Sequence, residues 1–243
     1  TFAVVAVISL CAKIGLTQKK ISQESMRHTS LAQVVQIAKA VLLYSVVIEL
    51  AGILLLTLTW YRELGLATAS WHAVFYTISA FNNAGFALSS ASLMPYAGNI
   101  AVNIIISSLF IIGGIGFTVL IDLKKQQRWR LLSVNTRIVL LSTLIINVIA
   151  FLLLWLLEAD NPATLANLSV KDQALAAWFQ AVTPRTAGFN TLDYSQMTDA
   201  SNVLTLLLMF IGGGSLSTAS GIKLGTFVIL MMATYAFLRR RDD

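Results

Sequence analysis

Asn82, Asn83, Ala84 and Gly85 stand before Phe86, and Arg185, Thr186, Ala187 and Gly188 stand before Phe189. The two stretches share A-G-F, lie 103 residues apart and sit between very apolar segments. What they offer is a glycine, small residues and free backbone oxygens, the material with which a protein replaces the water shell of a cation. Glycine fits because it lacks a Cβ and adopts backbone angles that other residues resist. The candidate ligands are therefore the carbonyls of Asn83, Ala84, Gly85, Thr186, Ala187 and Gly188; the side-chain oxygens of Asn82, Asn83 and Thr186 rank below them. A fixed charge lining a cation path would repel the ion, so Arg185 is expected to support its loop from behind, against a half-helix carbonyl or an acidic partner. Phe86 and Phe189 are expected to wedge the loops against their helices. The competing account is a pair of ordinary extracellular turns.

The elements that must hold these loops are apolar helices. The chain is 57% apolar and only 12% charged, against about 25% charge in soluble domains, and its mean hydropathy is +0.77. That composition marks an integral membrane protein. A bilayer core takes about 20 apolar residues per helix, which predicts helices near 1–16, 33–60, 99–122, 136–157, 202–212 and 222–238. Two shorter stretches, 71–82 and 172–183, have the length of re-entrant segments, and each runs directly into an A-G-F loop. The unit of spanning helix, short helix, loop and spanning helix thus occurs twice, with loops at 82–90 and 184–192. The basic stretches 18–27, 124–130 and 239–241 belong on the inner side. Acidic Glu158–Asp172 and the segment around Asp193 and Asp199 belong outside, where both acids stand at the outer mouth or are simply solvated. Both units run in the same direction, unlike the inverted repeats of many carriers.

The stretch 211-IGGGSLSTASGIK-223 interrupts a helix. Gly212, Gly213, Gly214, Ser215, Ser217, Thr218, Ala219 and Ser220 form poor helix material, and hydroxyls can serve the freed backbone groups. A flexible intramembrane loop is expected there, and close helix packing at 111-IIGGIGF-117. Glu49 lies mid-helix, where an acid marks either function or a contact inside the protein. Cys11, alone in an apolar segment, excludes an internal disulfide.

The stretches 79–90, 112–123, 185–194 and 210–227 resemble, in order and spacing, the translocating subunit of the Trk/Ktr/HKT superfamily of cation uptake systems, its bacterial Trk/Ktr type in particular. The resemblance covers essentially the whole chain. It implies an all-α integral membrane protein of potassium-channel-like architecture, in which four helix–pore loop–helix repeats build one carbonyl filter for potassium. By that comparison residues 1–32 hold the closing helix of repeat one and a cytoplasmic loop, 33–130 repeat two, 131–221 repeat three with its broken last helix, and 222–243 the basic lead into repeat four. Residues 82–85 and 185–188 become filter residues and 212–220 an intramembrane gate beneath them. The family pattern often has a further glycine where this chain has Leu216 or Ser220. The resemblance also implies a multi-pass protein of the bacterial inner membrane, a homodimer, and a cytoplasmic nucleotide-binding regulatory subunit. Potassium is then substrate, with no cofactor.

The alternatives are a sodium-permeable member of the same superfamily and a secondary carrier that binds a small solute at broken helices. A half-length protein that dimerises into a four-loop pore is a further possibility beside a fragment. No zinc-protease motif, nucleophile elbow or cysteine–histidine pairing points to an enzyme. The net charge of +6 sits in short membrane-flanking stretches and is no signal for nucleic acid.

Overall fold

A computed structural model describes residues 31–126 and 128–239. The predicted first helix 1–16, the basic stretch 18–27, Cys11, Arg240 and Arg241 lie outside the described residues. The chain divides into two compact units, Thr1–Leu50 and Ala51–Asp243, and the site described below lies wholly in the second. Glu49, in the first, is half-buried.

Helix α1, Leu31–Leu64, is followed by α2, Leu66–Phe81. Helix α3, Ile100–Ile115, continues into α4, Phe117–Lys125. Then come α5, Val134–Glu158, and α6, Val170–Val182. Helix α7 covers Asp199–Phe210 and α8 covers Leu224–Leu238. The starts are written in short polar side chains. Asn99, Ser133, Ser169 and Thr198 each accept a backbone N–H from the first turn of α3, α5, α6 and α7, satisfying one of the donors a helix start leaves free.

Helices α1, from Lys39, and α5 are long and apolar enough to cross a membrane. Their outward leucines, valines and isoleucines, among them Leu54, Leu58, Leu144 and Leu152, stay exposed, as a lipid-facing surface requires. Inward positions carry smaller residues. Ala150 on α5 and Ala176, Ala177 and Ala181 on α6 are buried in one cluster with Leu154 and Leu165. Without a hydrophobic drive between helices in lipid, close approach over small side chains supplies the contact.

The predicted span 99–122 is not one helix. The axis turns by 91° between α3 and α4, at Gly116 with φ +101°. A Cβ there would run into Ser215 O, so the corner requires glycine. The segment 111–117, expected to be a helix-packing surface, is therefore both a packing surface and a corner. The helices predicted at 202–212 and 222–238 are found at Asp199–Phe210 and Leu224–Leu238, with the expected interruption between them.

Candidate functional site

The two A-G-F loops are built alike. Each short helix ends and the chain folds back over its last turn: Ala84 N–H donates to Ser79 O at 2.9 Å, and Ala187 N–H to Thr183 O at 2.9 Å. A hydroxyl at the end of each short helix then fixes the far end of its loop. Ser79 Oγ donates to Phe86 O at 2.8 Å, and Thr183 Oγ1 to Phe189 O at 2.6 Å.

Between these ties the backbone alternates in handedness. Asn83 (φ +51°) and Gly85 (φ +72°) are left-handed, and so are Thr186 (φ +79°) and Gly188 (φ +85°); Ala84 and Ala187 are not. Left-handed backbone is uncommon for asparagine and a true outlier for a β-branched residue such as Thr186, and strain of this kind is held only where surrounding structure enforces it. The loops also touch. A Cβ on Gly85 would stand 2.7 Å from Ala187 O and 2.8 Å from Gly188 Cα, and one on Gly188 would stand 2.9 Å from Gly85 Cα. Neither glycine admits a side chain.

The two phenylalanines differ. Phe189 is fully buried against the Tyr76 ring, 6.0 Å between centroids, and acts as the expected wedge. Phe86 is 70% exposed and wedges nothing within the described residues. Beyond Phe189 the second loop is clasped at its outer end, where Asn190 O accepts from Leu93 N–H at 3.1 Å and Gln180 Oε1 accepts from Thr191 and Leu192 N–H at 3.3 and 3.4 Å. Asp193 is exposed, and hydrogen bonds from the Ser195 N–H and hydroxyl hold its carboxyl below the usual range, so it remains an anion in its loop.

Residues 211–223 form a compact break between α7 and α8. Gly212 N–H donates to Ile222 O at 3.0 Å and Ile222 N–H to Phe210 O at 3.1 Å, closing the neck; Leu224 N–H donates to Gly213 O at 2.9 Å. The break seats against the corner of α3: Gly214 N–H donates to Gly114 O at 2.8 Å, Thr218 N–H to Gly113 O at 3.2 Å, and Phe117 N–H to Leu216 O at 3.2 Å. A Cβ on Gly212 would collide with Ser220 O, on Gly213 with Gly114 O, and on Gly214 with Ile115 O. The glycine run is therefore required by contact, whereas Leu216 holds φ +54° with a full side chain.

Both A-G-F loops bond to this break. Asn83 Nδ2 donates to Thr218 Oγ1 at 2.6 Å, and Thr218 Oγ1 donates to Phe81 O at 3.1 Å. Arg185 does not present its charge beside the carbonyls of its loop. Its Nη1 donates to Asn147 Oδ1 on α5 at 2.7 Å and its Nη2 to Gly212 O at 3.0 Å. A cavity of about 20 Å³ is lined by Gly114, Thr143, Arg185 and Gly213, enough for one water molecule. Lys223 Nζ donates to Ala219 O at 2.6 Å, closing the lower half of the break on itself.

Sequence reasoning missed three residues here. Asn147 stands in 146-INVIA-150, and a polar residue in an apolar helix was the available signal. Glu158 is fully buried, where it accepts from Thr198 N–H and Oγ1, Thr164 Oγ1 and Asn161 Nδ2, all within 2.8 Å; it read as one more acid of an outer loop. Trp60, fully buried, packs on Tyr76 and Tyr96 at 5.5 Å each and had no signal beyond its apolar run.

The family model for the TrkH cation transport protein matches residues 1–243. The chain is similar to the Ktr system potassium uptake protein B of Bacillus subtilis, 46% identical over all of this chain and 55% of that protein. It is also similar to protein B of the Ktr system of Vibrio alginolyticus, 37% identical over 99% of this chain and 53% of that protein. The potassium/sodium uptake protein NtpJ of Enterococcus hirae is 32% identical over 93% of this chain and 50% of that protein. The chain thus spans about half the length of the curated relatives it matches. Among solved structures, the potassium transporter TrkH from Vibrio parahaemolyticus superimposes with a TM-score of 0.70 at 22% identity, covering 89% of this chain and 44% of that one, a likeness of fold.

Proposed function

The chain belongs to the TrkH family of cation transport proteins, and from that premise we propose that it supplies two of the pore loops of a potassium uptake pathway. Potassium passes along the carbonyls of Asn83, Ala84, Gly85, Thr186, Ala187 and Gly188. Asn82 and Arg185 open the two loops, and Arg185 braces its own from behind. The observation that carries this reading is the pair of matching loops with left-handed backbone at Asn83, Gly85, Thr186 and Gly188, in contact at their glycines. Neutral backbone oxygens can replace a hydration shell without a fixed charge that traps the ion. Below them, residues 212–220 obstruct the path and move aside on activation. The repeats lie at 33–130 and 131–221, in a multi-pass protein of the bacterial inner membrane. It works as a homodimer with a nucleotide-binding regulatory subunit in the cytoplasm.

A second reading, passage of sodium beside potassium, is favoured by the relative named for both ions. One experiment addresses both. An uptake-deficient bacterium expressing the intact gene is grown at limiting potassium, wild type against Gly188→Ser, at equal membrane expression. Lost or sodium-sensitive uptake is the expected result. Unchanged uptake and selectivity would make the loop a turn and move a carrier mechanism ahead of a pore.

A further inference from the structure

Thr218 ties together groups far apart in sequence. Its hydroxyl accepts from Asn83 Nδ2 and donates to Phe81 O, and its N–H donates to Gly113 O. Phe81 is the last residue of α2, so its carbonyl belongs to the negative end of that helix. The other polar atom of the Asn83 side chain, Oδ1, is buried without a hydrogen-bond partner, and so is Thr186 Oγ1 at the matching position of the second loop. Gly113 makes the knot possible: a Cβ there would overlap Phe81 O and stand 3.0 Å from Thr218 Oγ1.

The geometry points to Thr218 as the latch between gate and filter: with the loop seated, its hydroxyl engages Phe81 O and the Asn83 amide nitrogen at the inner foot of the first filter loop, and when the loop leaves, Phe81 O is free to meet potassium beside Asn83 Oδ1. This rests on the proposed function and adds the contact that regulates it. A single hydroxyl here satisfies one donor and one acceptor. Opening removes both bonds at once, and the exposed carbonyl end of α2, with Asn83 Oδ1 beside it, is suited to a cation and unsuited to an anion. Potassium at that position then opposes reclosure, because it binds the open arrangement and not the closed one.

The test is basal rubidium flux into liposomes holding the intact gene product without any regulatory subunit. Thr218→Val keeps the volume and removes the hydroxyl, and is expected to raise basal flux roughly twenty-five-fold, the factor two ordinary hydrogen bonds are worth. Thr218→Ser, which restores the hydroxyl, returns the flux to a low level. Asn83→Ala reports the same contact from the other side, and combining it with Thr218→Val should add little, as for two halves of one interaction. Excision of residues 212–220 serves as the reference for an absent gate. High flux on excision with no rise for Thr218→Val would overturn the latch and leave the gate standing. No rise for either variant would overturn the gate and the latch together.

Discussion

The two repeats make the same loop and close it differently. In the earlier repeat the helix after the loop turns one sharp corner at Gly116 and stays helical on both sides. In the later repeat the corresponding helix opens for thirteen residues, 211–223, before helical structure resumes. The residues that start the two loops diverge in the same way. Asn82 turns its amide back to Ile78 O of its own helix at 2.9 Å, whereas Arg185, the equivalent residue, reaches out to α5 and to Gly212 O. The two loops share their backbone conformation while their surroundings differ. A corner with one glycine is rigid. A break held by hydrogen bonds to two separate loops is a part that can be unfastened.

The largest effect should come from the glycine that joins corner to loop. Gly113→Ala puts a Cβ into Phe81 O, and a backbone oxygen cannot step aside as a side chain does; a loss upward of about 3 kcal/mol is expected. The neighbouring Gly114→Ala meets nothing closer than 3.8 Å and should be tolerated. Thermal unfolding of the purified pair in detergent measures the contrast, and equal stability of the two would refute the tight seat. Next comes Glu158. Replacing it by alanine strands Thr198, Thr164 and Asn161, at about 3 kcal/mol, while glutamine, which keeps one acceptor, should lose less. This variant sharpens the comparison, because Glu158 anchors the outer loops of the later repeat alone.

Much of this was legible in the residues. The repeat, the short helices before each loop and the glycine-rich break follow from apolar length and from glycine and serine clusters, which act locally. What escaped was set by distance. Gly116 looks like Gly113 and Gly114 in sequence, and only the approach of Ser215 O and its φ make it a corner. Phe86 and Phe189 stand in identical motifs, yet one is exposed and the other buried, because burial depends on what lies opposite. Asn147 carried a signal, a polar residue in an apolar helix, but its partner lies 38 residues away and no local pattern names it.

Arg185 tests whether the later loop is held by charge or by shape. Lysine keeps the charge but cannot reach two acceptors in a fixed fork, so Arg185→Lys should lose about 1.5 kcal/mol, one charge-assisted bond. It should also raise basal flux, since Gly212 O at the neck of the break is released. Asn82→Lys, at the matching position, should leave the break untouched. If both variants raised flux equally, the division of roles between the repeats would be wrong. The smallest effect concerns Leu216. Its left-handed backbone costs a residue with a Cβ about 1 kcal/mol, and its carbonyl still accepts from Phe117 N–H. Glycine removes that cost in the seated loop and adds freedom to the released one, and the two act in opposite directions. If the seated form gains more, Leu216→Gly lowers basal flux by about twofold, the direction expected for a loop that carries strain while closed. A rise in flux instead would mean that the added freedom of the released loop, or the loss of the leucine side chain, outweighs the relieved backbone strain.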